Sequence, residues 1–185
     1  MGREWTPTTL SERAAWDFMA SEGGEMELTA LLPVAVMGPV MGGDVSGTNR
    51  LIQRMLSGEM RGLPDLYIPI VDVRDVATAH VQALTSPKAA GERLLLSSGP
   101  ALSLKEISRI LKSELGARAS KVSARRLPSA VIRLLALFNP ELRHIAPDLG
   151  YAKKLSNAKA RRLLDWTPRR SEEAVVSAAM GLLEN

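Results

Sequence analysis

The stretch MELTALLPVAV, Met26–Val36, does most to narrow what this chain can fold into. It is a near-continuous apolar run of strand length, without the apolar–polar alternation of a strand that has one wet face. Runs of this kind are strands buried on both faces of a parallel sheet. LYIPIV (Leu66–Val71) and GERLLLSS (Gly91–Ser98) read as further strands, and VRDVATAHVQAL between them reads as a helix that stops before Pro87. Strands alternating with helices in the first half of the chain predict an α/β layer.

The helices are marked by periodicity and caps. From Thr9 to Glu22, Leu10, Ala14 and Phe18, with Ala15 and Trp16, fall at helical spacing. They predict a core helix capped by Thr9 or Ser11 and stopped by Gly23-Gly24. TNRLIQRMLSG predicts a helix from about Thr48 to Ser57, and Asp72 or Asp75 is placed to cap the next one. Ser103 and Glu106 form an S-x-x-E capping box for SLKEISRILKSELG, which Gly116 ends. LPSAVIRLLALFNP reads as an apolar helix with Pro128 near its start and Asn139-Pro140 past its end; SNAKARRLLDW and SEEAVVSAAMGLLEN are two more. No internal repeat or low-complexity linker divides the 185 residues, so residues 1–185 are expected to form a single domain, mostly helical in its second half.

With no cysteine there is neither a disulfide framework nor thiolate chemistry, and the expected setting is cytoplasmic. No apolar run approaches the ~20 residues that span a bilayer, so no membrane association is expected. Charge is unevenly spread: residues 118–170 hold 13 of the 24 Lys and Arg but only Glu141, Asp148 and Asp165, giving +10 there and −6 elsewhere. Such a stretch suits an acidic ligand, a phosphate-bearing cofactor, nucleic acid or, more simply, a solvated face. The scarcity of stacking groups, Tyr151 and Trp166 alone, weighs against nucleic acid.

Several chemistries lack their motifs. The glycines of GPVMGGDVSG (Gly38, Gly42, Gly43, Gly47) do not match G-x-G-x-x-G, and there is no phosphate-binding G-x-x-x-x-G-K-[ST]; the segment reads as a turn-rich connection. His80 and His144 are far apart and no H-E-x-x-H exists, so no metal site is expected. There is no G-x-S-x-G nucleophile elbow, and the carboxylates Asp72 and Asp75 are explained by capping more simply than by acid–base work.

SERAAWDF, LLPVAVMGPV, VDVRDVATAHVQAL, GERLLLSS and LLDWTPR, in this order and at these separations, resemble the C-terminal half of extended short-chain dehydrogenase/reductases. Within that family the likeness is to dihydroflavonol reductase-like and NAD(P)-dependent epimerase/dehydratase proteins, and it runs from about Thr9 to the end. The resemblance implies the C-terminal part of a Rossmann-type doubly wound sheet plus a small, mostly helical substrate-binding subdomain. The remnant of the Rossmann half would be about residues 9–36, with the substrate-binding subdomain interleaved over about 37–185. It implies NAD(P) as cofactor and a small carbonyl or alcohol as substrate.

In that family a Tyr transfers the proton and a Lys one helical turn later lowers its pKa. Aligned on SERAAWDF, those positions hold Glu4 and Thr8, and the tyrosines Tyr67 and Tyr151 are followed four residues on by Val71 and Leu155. The glycine-rich phosphate loop is absent too. The resemblance thus assigns no catalytic residue. It leaves Pro33 and Val34 to line the nicotinamide and Thr48 near the cofactor phosphates; Pro33 as a strand end and Thr48 as a helix cap account for the same residues. The family's substrate pocket is typically shaped by the segments around Gly38–Ser46 and Leu127–Leu149. The expectation is a substrate-binding portion of an NAD(P)-dependent oxidoreductase, inactive alone. The alternatives are a non-catalytic interaction module or one half of a split enzyme. A doubly wound sheet divided in this way leaves an open edge, which predicts a homodimer or association through that edge.

Overall fold

The computed structural model describes residues 7–40, 45 and 47–184. The apolar run that reads as one strand forms two, β1 (Ala30–Pro33) and β2 (Ala35–Met37). Its halves have different partners. β1 pairs in parallel with β5 (Arg93–Leu96), from Ala30 opposite Arg93 to Pro33 opposite Leu96. β2 pairs in parallel with β4 (Ile70–Asp72), from Ala35 opposite Ile70 to Met37 opposite Asp72. The change falls between adjacent amides: Val34 N–H donates to the Leu96 carbonyl (3.1 Å) and Ala35 N–H to the Pro69 carbonyl (3.2 Å). LYIPIV is split as well, at Pro69, which has no N–H for a ladder. Its first part, β3 (Tyr67–Ile68), pairs antiparallel with β6 (Leu102–Ser103).

Alternation along these strands separates two cores. Ile70 joins Met37, Ile52, Met55, Ile107 and Ala178, so that α2 (Asn49–Ser57), α4 (Leu104–Leu115) and α8 (Ser171–Glu184) cover one side. The next residue, Val71, points the other way, into a cluster with Ala79, Leu94, Leu96, Ala160 and Trp166. That side is covered by α3 (Val73–Thr85) and α7 (Ala158–Leu164). Parallel strands with helices on both faces make this an α/β layer.

The capping box at Ser103 and Glu106 forms as read, with both reciprocal bonds present, and Gly116 ends α4 at φ +54°. Asp72, rather than Asp75, caps α3 by accepting from the Arg74 amide.

One reading needs correction. The helix α1 (Pro7–Ser21) is not a core helix, since Leu10 is 52% and Phe18 45% exposed. Its tie to the sheet is polar, Arg93 donating to Glu12 at 2.5 and 2.9 Å. Helical spacing shows that a helix has an apolar stripe, whereas burial needs a layer to cover it, and none does so among the described residues. Asn139-Pro140 lie past the end of the apolar helix that precedes them, as read. That helix, α5 (Ser129–Leu135), has already ended, and Pro140 opens the short α6 (Pro140–Ile145), where its fixed φ suits a first helical position.

Candidate functional site

Ligands of open parallel α/β sheets bind in the crevice beyond the carboxyl ends of the strands. Here that crevice is a cleft of about 390 Å³ at the end of β2, lined by Val34, Val36, Met37, Pro39, Gly47, Thr48, Asn49 and Val73. Val34, Val36 and Met37 supply an apolar wall, and the start of α2 supplies the polar side.

Gly38 lets the strand leave the sheet this close to α3. Its φ is +141°, and a Cβ there would lie 2.9 Å from Val73 Cγ1 and 3.3 Å from Asp72 Oδ1. Asn49 Nδ2 donates to the Gly38 carbonyl at 3.3 Å and so fixes the start of α2 against the strand end. Its Oδ1 is buried with no hydrogen-bond partner. An amide oxygen left in that state costs stability unless something supplies a donor.

Thr48 occupies the N-cap position of α2 without capping it. It has helical φ and ψ, −73° and −20°, and makes no side-chain cap bond. Val34 and Thr48, separated by 14 positions in sequence, thus face one cleft. Pro33 is exposed at the end of β1 and is not among the residues lining it. The position of Glu4 and half of the loop GPVMGGDVSG lie outside the described residues, as does the side chain of Thr8.

The floor beside the cleft is held by a charged clasp. Asp72 is fully buried and accepts from Arg74 Nε (2.8 Å), Arg74 Nη2 (2.7 Å) and the Arg74 amide (2.9 Å). Burial alone would push its pKa up, but the hydrogen bonds and charge of Arg74 outweigh this and hold it below the usual carboxylate range. Arg74 Nη2 also donates to Ser177 Oγ at 3.1 Å, which ties α3 to α8. Asp75 faces the chain terminus instead: its carboxylate accepts from the Arg169 amide (2.7 Å) and pairs with the Arg169 guanidinium. Its carbonyl accepts from Trp166 Nε1 at 2.9 Å. His80 is exposed, with Nδ1 2.8 Å from the Val76 carbonyl.

Five of the 13 Lys and Arg in the basic stretch are paired with acids within the molecule. Arg126 pairs with Asp65, Lys159 with Glu92, Arg169 with Asp75, Arg170 with Glu172 and Lys153 with Asp148. Four of these five acids come from outside residues 118–170, where the chain is net negative. Among the described residues there is no cluster of three His, Cys, Asp or Glu placed to hold a metal, and no helix long and apolar enough to cross a membrane.

Sequence reasoning missed Asn49. Its only signal was a Thr-Asn pair ahead of a strongly amphipathic segment, and either residue could have been taken for the cap.

No family model matches the chain. It is 35% identical to cinnamoyl-CoA reductase 1 of Arabidopsis thaliana over 89 residues, which is 48% of this chain and 25% of that protein. To the NADPH-dependent methylglyoxal reductase of Saccharomyces cerevisiae it is 37% identical over 97 residues, covering 48% and 28%. A ketoreductase of Penicillium rubens is 29% identical over 159 residues, 85% of this chain and 44% of that protein. The chain therefore spans less than half the length of these curated relatives.

Among solved structures, yeast methylglyoxal/isovaleraldehyde reductase complexed with NADPH matches 97% of this chain and 55% of its own with a TM-score of 0.73 at 24% identity. A UDP-glucose 4-epimerase of Thermotoga maritima, solved with UDP-glucose, gives 0.65 at 21% identity over 95% and 52%. At these identities the likeness is one of fold, and it places the α/β layer among Rossmann-type reductases and epimerases.

Proposed function

We propose that this chain, a relative in sequence and fold of the NAD(P)-dependent reductases of the extended short-chain dehydrogenase/reductase family, is the substrate-binding portion of such a reductase and turns over nothing by itself. One observation carries the reading. A chain whose sequence runs with a ketoreductase over 85% of its length has its polar and apolar cleft at the carboxyl end of a parallel strand. Residues about 9–36 are then the remnant of the nucleotide-binding half, and about 37–185 carry the substrate side.

The cleft fits one end of a dinucleotide. Val34 and Val36 offer the flat apolar wall that a nicotinamide ring packs on. Thr48, free of capping duty, and the orphaned Asn49 Oδ1 offer polar contacts to a ribose or carboxamide. Bound in a complete site, the cofactor would supply the hydride that reduces a carbonyl, and Val34, Val36, Thr48 and Asn49 would hold and orient its ring. Pro33, one residue before Val34, sets where the strand stops pairing with β5. The other end of the cofactor has no cradle in this sequence, because there is no glycine-rich phosphate loop, and no Tyr-x-x-x-Lys pair is present to move the proton. The substrate class is a small carbonyl compound or the corresponding alcohol, held by the surfaces that flank the cleft.

Two measurements test this. Fluorescence titration of the 185-residue chain with NADPH should show no micromolar binding and no oxidation with methylglyoxal or cinnamoyl-CoA. Ligand-observed NMR with a panel of aldehydes, ketones and alcohols should show contact by at least one compound. Turnover by the chain alone would refute the incomplete site, and a panel without any binder would refute the substrate role.

A further inference from the structure

Within eight positions of α5 and the turn after it, Val131, Leu134, Leu135, Leu137 and Phe138 are all exposed, Phe138 to 82%. Their spacing says which way they face. Ile132 and Ala136, four positions apart, are buried and hold the helix on the molecule. Val131, Leu134 and Phe138, at i, i+3 and i+7, therefore make a stripe on the outer side. Helical phase carries on through Phe138, because the Leu137 amide donates to the Leu134 carbonyl and the Phe138 and Asn139 amides to that of Leu135. Arg143 fixes the end of this turn, its Nε and Nη2 donating to the Ala136 and Leu137 carbonyls at 3.4 and 3.3 Å. None of these residues lines the cleft at the end of β2. Apolar side chains exposed together and held in place in this way form a contact surface, unlike single ones scattered over a surface.

Around the stripe the charge is of one sign. Residues 118–140 hold Arg118, Lys121, Arg125, Arg126 and Arg133 and no acid. Of these, only Arg126 has an acidic partner among the described residues, Asp65. Arg133 lies exposed within α5, flanking the stripe, and the exposed Arg143 and His144 follow on α6. Asp148, in the turn after α6, faces Lys153 at 3.8 Å. We infer that α5 and the turn to α6 form a peripheral docking surface for an anionic lipid bilayer. Leu134 and Phe138 enter the boundary between headgroups and acyl chains, and Arg133 and Arg143 lie against the acidic headgroups.

Charge decides the occupant. A second copy of this chain meeting this face with its own would set cations against cations, whereas a layer of acidic headgroups complements them. Nor does such a contact need a spanning segment. Among the described residues no helix is long and apolar enough to cross a membrane, but a helix lying in the interface needs only an apolar stripe and a basic flank. The contact is therefore reversible and weakens with salt. It uses none of the residues on which the reductase reading rests, and the two stand or fall separately.

The test is cosedimentation of the 185-residue chain with vesicles of equal parts phosphatidylcholine and phosphatidylserine, and with vesicles of phosphatidylcholine alone. The chain should pellet with the anionic vesicles, bind the neutral ones roughly tenfold more weakly or less, and be released by added salt. Phe138→Glu and Arg133→Glu should each weaken binding by roughly tenfold or more. Both residues are exposed, so melting curves of the two variants should match the parent's. Leu10→Glu, at an exposed residue of α1, should leave binding as it is. The inference is overturned by a chain that stays in the supernatant, by equal binding to neutral vesicles, or by binding indifferent to Phe138→Glu or to Arg133→Glu. It is overturned as well if light scattering shows a soluble dimer that Phe138→Glu dissolves.

Discussion

Trp166 holds the end of the chain onto α3, and replacing it offers the sharpest check on the packing described above. The indole is 1% exposed in the cluster of Val71, Ala79, Leu94, Leu96 and Leu164, and its Nε1 donates to the Asp75 carbonyl at 2.9 Å. Truncating a buried Trp to Ala costs about 3–5 kcal/mol. Leaving the Asp75 carbonyl unpaired adds part of the ~1–3 kcal/mol of an orphaned buried group. Against a total stability of about 5–15 kcal/mol, the Trp166→Ala protein should be marginal. Trp166→Phe keeps most of the packing and loses the donor, for about 2 kcal/mol. At ~2–4 °C per kcal/mol for a domain of this size, the Phe variant should melt about 4–8 °C lower and the Ala variant more than about 8 °C lower. The internal control is Leu10→Ala, which periodicity assigns to a core but which is 52% exposed; it should cost under about 1 kcal/mol. Thermal unfolding followed by far-ultraviolet circular dichroism reads all three. If Leu10→Ala costs as much as Trp166→Ala, the assignment of α1 to the surface and of Trp166 to the core is wrong.

Three further outcomes follow from single contacts. Gly38→Ala places a methyl 2.9 Å from Val73 Cγ1 at φ +141° and should cost about 1–3 kcal/mol by urea titration; a neutral effect would mean the strand end is not held against α3. Ser103→Ala removes the acceptor for the Glu106 amide and should cost about 1 kcal/mol, and an unchanged midpoint would remove the capping box from the account. The carboxylates of Asp72 and Glu106 both titrate below their ordinary values. For Asp72 burial opposes the shift and Arg74 prevails, while for Glu106 the Ser103 hydroxyl and amide lower it. A depressed folded pKa gives stability that is present above the unfolded value and lost as pH falls through the folded one. The melting temperature should therefore fall on acidification below about pH 4.5. Asp72→Asn should flatten that acid limb, and a melting temperature that rises on acidification would contradict the sign.

How far the sequence could be read depended on the range of the interaction concerned. Caps were legible because they are answered within three or four residues: Ser103 and Glu106 satisfy each other wherever the helix lies, and Asp72 caps α3 from its own neighbour's amide. Strand identity was legible, but partner choice was not. Nothing local says that Val34 and Ala35 donate to carbonyls at Leu96 and Pro69, which follow later in the chain.

The charge imbalance was legible as an imbalance, whereas the pairs that answer part of it were not. The +10 stretch and the −6 remainder are complementary parts of one fold that meet at Asp65, Asp75, Glu92 and Glu172. Charge summed by sequence window measures a field only where the cations lack partners elsewhere in the chain. The exposed stripe of α1 extends the same argument. Leu10 and Phe18 carry the pattern of a buried helix with no cover among the described residues. Local pattern records the environment for which a segment is suited. The fold among the described residues does not supply that environment to α1.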